Sequence, residues 1–197
     1  MVQEEEIMRT QFPVRLTLAA MMLFTWAHSA RATTMLRQGL EGLTRSSEMV
    51  VSGRTLEKRS HWTDDHSAIV TDVRIKIAER LKGRSAATEV TITLMGGAVG
   101  DTAQFMEAAP QITIGSDHVW FLSREDMPGA GRILTVNTLS QGVFDVVTIG
   151  GLGRAVSQAS GESMVPDPDG LVEAPGGKAG LDLNELFRKI RDFARVR

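Results

Sequence analysis

Between Ala68 and Gly97 the chain alternates apolar and polar residues in two successive runs. In the first, Ile69, Thr71, Val73, Ile75 and Ile77 fall on one side of a two-residue repeat, and Asp72, Arg74 and Lys76 on the other. In the second, Val90, Ile92 and Leu94 point one way and Thr91 and Thr93 the other. Period-two alternation is the mark of a strand with one buried face, so this stretch predicts two strands of a sheet with one wet face and one covered face. Upstream, Met35, Leu36, Leu40 and Leu43 have helical spacing and predict a short helix over residues 35–46, weakened by Gly39 and Gly42. The strand that follows, from Glu48 to Trp62, carries Gly53 in its interior. There a glycine marks a bulge or a close backbone approach, and the inward parity is expected to pass from Met49 and Val51 to Leu56. Residues 63–67, Thr-Asp-Asp-His-Ser, then turn the chain into an antiparallel hairpin.

Beyond Gly96-Gly97, residues 98–111 are too long for a hairpin turn. A broken strand is expected at Ile112 and Ile114, resuming at His118–Leu122. Met127–Gly131 reads as a loop, with further strands in RILTVNT, GVFDVVTIG and RAVSQA. Residues 160–180, with three prolines and five glycines, read as a long loop or linker with little to bury. Asp182 and Glu185 then form a D-x-x-E capping signal. Leu183, Leu186, Phe187, Ile190, Phe193 and Ala194 share one helical face, which predicts an amphipathic C-terminal helix docked on the strands.

The N-terminal pattern is of another kind. Arg9 and Arg15 precede the apolar run Leu16–Ala27, and Ala30-Arg31-Ala32 supplies a small-residue cleavage signal. That order is a secretory signal peptide over residues 1–32, with cleavage expected after Ala32 and no stable membrane anchor left behind. The acidic residues before Met8 are unusual for such a leader and make Met8 an alternative start. Removing residues 1–32 takes away Arg9, Arg15 and Arg31 together with Glu4, Glu5 and Glu6, so the net charge of -2 is unchanged. A near-neutral chain invites neither nucleic acid nor an anionic membrane. There is no cysteine, hence no disulfide framework and no lipid-bearing cysteine, and stability rests on the core. The expected address is secreted or periplasmic.

Of the 197 residues, 33–159 thus form one mainly β domain and 181–197 the docked helix. About six short strands with glycine-punctuated turns predict a small closed or partly open antiparallel barrel. The segments MVVSG, IVTDVRI, ERLKG, VTITLMGG, HVWFL and SQGVF resemble a group of exported bacterial proteins without assigned activity. More distantly, a strand ending in glycine followed by a long strand ending in LKG is similar to OB-type barrels of the netrin and metalloproteinase-inhibitor kind. Those inhibitors reach a protease's zinc through a disulfide-bonded N-terminal cysteine, a mechanism that a chain without cysteine does not share.

Candidate chemistry concentrates in HWTDDH. Trp62, Asp64, Asp65 and His66 are the leading binding residues. Trp62 either stands exposed at the hairpin tip or folds back to cap the barrel end. His61, His66 and Asp64 are the alternative, as metal ligands, although Asp-Asp-His-Ser also suits a solvated turn. His118 reads as a surface or half-buried strand residue. No cysteine or G-x-S-x-G elbow offers a nucleophile. Gly151-Leu152-Gly153 lacks the third glycine of a dinucleotide fingerprint and reads as a turn. The chain has no tyrosine, and its few aromatics are largely claimed by the strands and the C-terminal helix, which argues against a nucleic-acid groove. Two functions remain. One is an exported, non-catalytic binding domain contacting protein or glycan through its loops, without a cofactor. The other is a metal-dependent enzyme or metal-binding protein using the His61–His66 hairpin, with the Gln104–Gln111 loop as a further wall.

Overall fold

The computed structural model describes residues 37–159 and 180–195. The expected signal peptide, and the glycine- and proline-rich segment apart from Gly180, lie outside the described residues. In chain order the elements are α1 (Leu40–Ser46), β1 (Met49–Trp62), β2 (Ile69–Lys82), β3 (Glu89–Met95), β4 (Gly97–Val99), β5 (Thr102–Gln104) and β6 (Asp117–Met127). They continue as β7 (Gly131–Val136), a 3-10 turn (Leu139–Gly142), β8 (Val143–Ile149), β9 (Leu152–Ser157), β10 (Leu181–Asp182) and α2 (Leu183–Arg195).

The domain is mainly β, built on one antiparallel sheet in the order β10-β9-β8-β6-β1-β2-β3, with β7 also paired to β6. This sheet is open. Strand β3 comes alongside β7 without joining its ladder. The spine is the β1–β2 hairpin, whose register runs from Val50 opposite Lys82 to Trp62 opposite Ile69. Alternation on β2 and β3 follows the sequence reading: Ile69, Val73, Ile75 and Ile92 are buried while Arg74, Lys76 and Thr91 are exposed.

The expectation of one wet face fails at the centre of the sheet. Val51, Trp120, Leu122 and Val143 pack into one cluster with Val73, Ile75 and Ile92. Their neighbours Val50, Val119, Phe121 and Phe144 pack into a second cluster on the other face, under Leu43 of α1 and Leu186, Phe187 and Ile190 of α2. A central strand covered on both sides needs an unbroken apolar run, and Val119-Trp120-Phe121-Leu122 is that run, all fully buried.

Gly53 does mark a close approach: a Cβ there would collide with the Lys76 carbonyl. The register slip beside it takes its extra residue from β2, since Ser52 faces Glu79 while Gly53 faces Ile77. The parity change on β1 itself comes at Leu56, which is skipped between Thr55 and Glu57 and only half-buried, rather than becoming the new inward position. Residues 98–111 contain a miniature hairpin, β4–β5, turned at Gly100-Asp101. The broken strand expected at Ile112 and Ile114 is irregular chain ending in a turn at Ile114-Gly115, with Ile112 buried and Ile114 exposed.

Helix α2 starts where its sequence signals: the Asp182 carboxylate accepts hydrogen bonds from the backbone N–H groups of Asn184 and Glu185, both at 3.0 Å. The reciprocal half of a capping box is absent, because Glu185 pairs with Lys189 at 2.9 Å. Among the described residues no helix is long and apolar enough to cross a membrane.

Candidate functional site

The turn between β1 and β2 is held by one carboxylate. Asp65 Oδ1 accepts hydrogen bonds from Thr63 Oγ1 (2.7 Å), Ser67 Oγ (2.7 Å) and the Ser67 N–H (3.0 Å). Those hydroxyls, Thr63 first, hold the Asp65 pKa down at about 2. Around this knot the Thr63 N–H donates to the Ala68 carbonyl and the His66 N–H to the Thr63 carbonyl, each at 2.8 Å. The β6–β7 turn lies against it: the exposed Asp64 donates its N–H to the Gly129 carbonyl at 3.1 Å. A side chain at Gly129, where φ is +74°, would also strike the Asp65 carboxylate. Asp65 is therefore a structural tie although it is itself exposed, and Asp64 and His66 are the exposed turn residues whose side chains the knot does not use.

Trp62 closes β1 half-buried and stacks on His66, with ring centroids 6.3 Å apart and planes 16° apart. His66 reaches that position from a left-handed backbone, φ +57°. The structure thus brings Trp62, Asp64, Asp65 and His66 into one turn. It does not bring His61 to them as a ligand. His61 Nδ1 lies 2.9 Å from the Trp62 carbonyl and Nε2 3.2 Å from Asp72 Oδ2. The Trp62 carbonyl, with Asp72 adding to it against the cost of burial, raises the His61 pKa. Among the described residues no group of three or more His, Asp or Glu side chains converges as a metal site.

Beside the hairpin lies a groove of about 250 Å³, bordered by the Gln104–Gln111 loop that the sequence reading set beside the hairpin, but without His61, Asp64 or His66 in its lining. Its floor includes Lys58, Thr71 and Leu94, and its wall is the 104–112 segment with Phe105, Met106, Pro110 and Ile112. This wall is fastened to the hairpin. The Ile69 N–H donates to Gln104 Oε1 (2.7 Å) and Lys58 Nζ to the Ile112 carbonyl (2.7 Å), while Thr71 Oγ1 donates to the carbonyl of Gly96, which also lines the groove (2.6 Å). Phe105 stands 93% exposed on it. Trp62 is the cross-strand neighbour of Ile69, so turn and groove belong to one end of the hairpin.

His118 is a correction to the sequence reading, being only 3% exposed. Its Nδ1 lies 3.1 Å from Asp145 Oδ1, and Gln158 Nε2 donates to the same oxygen at 2.6 Å. Burial pushes the Asp145 pKa up, but the His118 and Gln158 contacts outweigh it and leave the carboxyl below its usual range. His118 Nε2, Trp120 Nε1 and Thr55 Oγ1 are buried without a hydrogen-bond partner among the described residues. An imidazole oriented by a carboxylate is half of a nucleophilic constellation, but its ring packs edge-on against Trp120 at 5.0 Å inside the sheet. The pairing was not legible beforehand, because the contact joins residues 27 positions apart. Compared with known families, the chain matches no family model, and no curated protein matches it.

Proposed function

We propose that this chain is an exported, non-catalytic binding domain of the bacterial envelope or secretome, contacting protein or glycan through the loops at the turn end of the β1–β2 hairpin. The observation that carries the reading is the Trp62–His66 stack, a half-exposed flat aromatic pair on a turn that Asp65 makes rigid. A rigid aromatic loses little conformational entropy on binding and offers a large face to a sugar ring or an apolar side chain. Asp64 and His66 supply hydrogen-bonding groups beside it, and Phe105 extends the apolar surface across the groove. The scaffold is read as a partly open barrel of OB/netrin-like type, supported by the approach of β3 to β7, with loops at one end free to specialise.

The test uses Trp62 as probe and target. Soluble peptidoglycan fragments, and proteins captured from envelope extract, are titrated against the protein while tryptophan emission is followed. The buried Trp120 should be silent. Trp62→Ala should weaken the ligand so found by about tenfold or more, roughly 1.4 kcal/mol, with circular dichroism and melting almost unchanged. A large fall in stability would place Trp62 in the core and remove it as a contact. Stoichiometric zinc lost on replacing His61 and His66 would favour the metal-binding alternative.

A further inference from the structure

On the face of the sheet covered by α2, Lys76 of β2, Arg54 of β1 and Asp117 of β6 are neighbours in register across three strands. Lys76 and Arg54 therefore set two cations directly opposite each other, an unfavourable cross-strand pair. Arg54 is neutralised by a bidentate pair with Asp117, at 2.9 and 2.6 Å. The other nearby acids are also engaged. Glu79 is held by Arg191 of α2, and Glu89, which faces Lys76 from β3, is bound to Arg74 at 3.3 Å. Lys76 is left without an ion-pair partner among the described residues. Lys76, Arg54, Asp117 and Glu79 line a cleft of about 530 Å³, with Val146, Leu183 and Phe187 as its apolar wall. That volume lies within the roughly 300–1,000 Å³ of small-molecule sites.

We propose that this cleft binds a single amphipathic carboxylate, its head group on Lys76 and its apolar tail along Val146, Leu183 and Phe187. Charge and shape both specify the ligand. The cleft carries one uncompensated positive charge at one end and aliphatic and aromatic surface at the other, so a monoanion with an apolar tail satisfies both. An anion on Lys76 also relieves its repulsion with Arg54. The site is separate from the Trp62 turn, roughly 25 Å along the hairpin at ~3.3 Å per residue, and does not depend on that surface being used.

The experiment is calorimetric titration of the full chain with decanoate below its micelle range, with acetate as the head group alone and decanol as the tail alone. Decanoate should bind saturably with one-to-one stoichiometry, and acetate and decanol at least about tenfold more weakly. Lys76→Gln should weaken decanoate by about tenfold, and Lys76→Arg should retain most of the affinity. Decanoate should raise the melting temperature of the natural protein and leave that of Lys76→Gln unmoved. Because Lys76→Gln removes a like-charge pair at an exposed position, the variant itself should melt no lower than the natural protein. Non-saturable decanoate uptake, equal binding of decanol, or an unchanged affinity in Lys76→Gln would each overturn the proposal.

Discussion

At the scale of single residues, the candidate site depends on Asp65 more than on the residues it displays. Its carboxylate collects the hydrogen bonds of Thr63 and Ser67 and meets the β6–β7 turn at Gly129. The group sits at about 2 in the folded protein against an ordinary value of 3.8. A depressed folded pKa means the ionised form is favoured by folding, so the stabilisation is present above 3.8 and is lost as pH falls toward 2. Followed by carboxyl-carbon NMR, Asp65 should titrate with a midpoint near 2, with the Ser67 amide shift moving in step. A midpoint at 3.8 or above would mean the knot does not exist in solution. Gly53 is a second residue on which geometry hangs, since any side chain there meets the Lys76 carbonyl. Gly53→Val should cost about 1–3 kcal/mol by overpacking, read from denaturant midpoints at constant slope. A neutral result would show that β1 and β2 can separate at that point without penalty.

Helix α2 is the element that converts half of the sheet from surface into core. Leu186, Phe187 and Ile190 cover Val50, Val119, Phe121 and Phe144, while Arg191 reaches over the Phe187 ring, 5.9 Å from its centroid, to Glu79. Replacing Phe187 with Asp empties a buried aromatic site, worth about 3–5 kcal/mol, and adds an unpaired carboxylate. For a domain of this size that is a fall in melting temperature of roughly 6–20 °C. An unchanged melt would mean that α2 is not part of the cooperative unit and is free for a partner. From the end of β2, Lys82 Nζ donates to the carbonyls of Thr44, Arg45 and Ser47, at 2.7, 2.9 and 2.6 Å. It closes the C-terminus of α1 with a cation where the helix dipole favours one. Both helices are thus tied to the sheet by burial and by charge, α1 through Leu43 and Lys82 and α2 through its apolar face and Arg191.

For the whole molecule, the proposal rests on export. The leader-like order of residues 1–32 predicts a product beginning at Thr33, so mass spectrometry of secreted or periplasmic material should return that N-terminus. Chains retained in the cytosol with Met1 or Met8 intact would remove the envelope from the proposal. An exported product would then be stable without disulfides, through two apolar clusters on the two faces of one sheet. With β3 drawn up beside β7, the edges of these two strands shield each other.

The sequence by itself determined what depends on neighbours in the chain. Alternation on β2 and β3, the turn at 63–67, the Asp182 cap and the close approach at Gly53 are each set by a few consecutive residues, and each is legible there. The Gly100-Asp101 pair was also a readable two-residue hairpin signal, hidden only by the shortness of β4 and β5. Tertiary structure decided what depends on two distant segments meeting. The unbroken run Val119–Leu122 is a local mark of a strand covered on both faces, but that α2 is what covers one of them was decided by tertiary structure. One skipped residue, Leu56, turns Lys58, Ser60 and Trp62 inward on a strand whose sequence gives no mark of it. The His118–Asp145 contact, the cleft at Lys76 and the fastening of the Phe105 loop all join strands through register. Register is fixed by packing across the whole sheet rather than by any single run of residues.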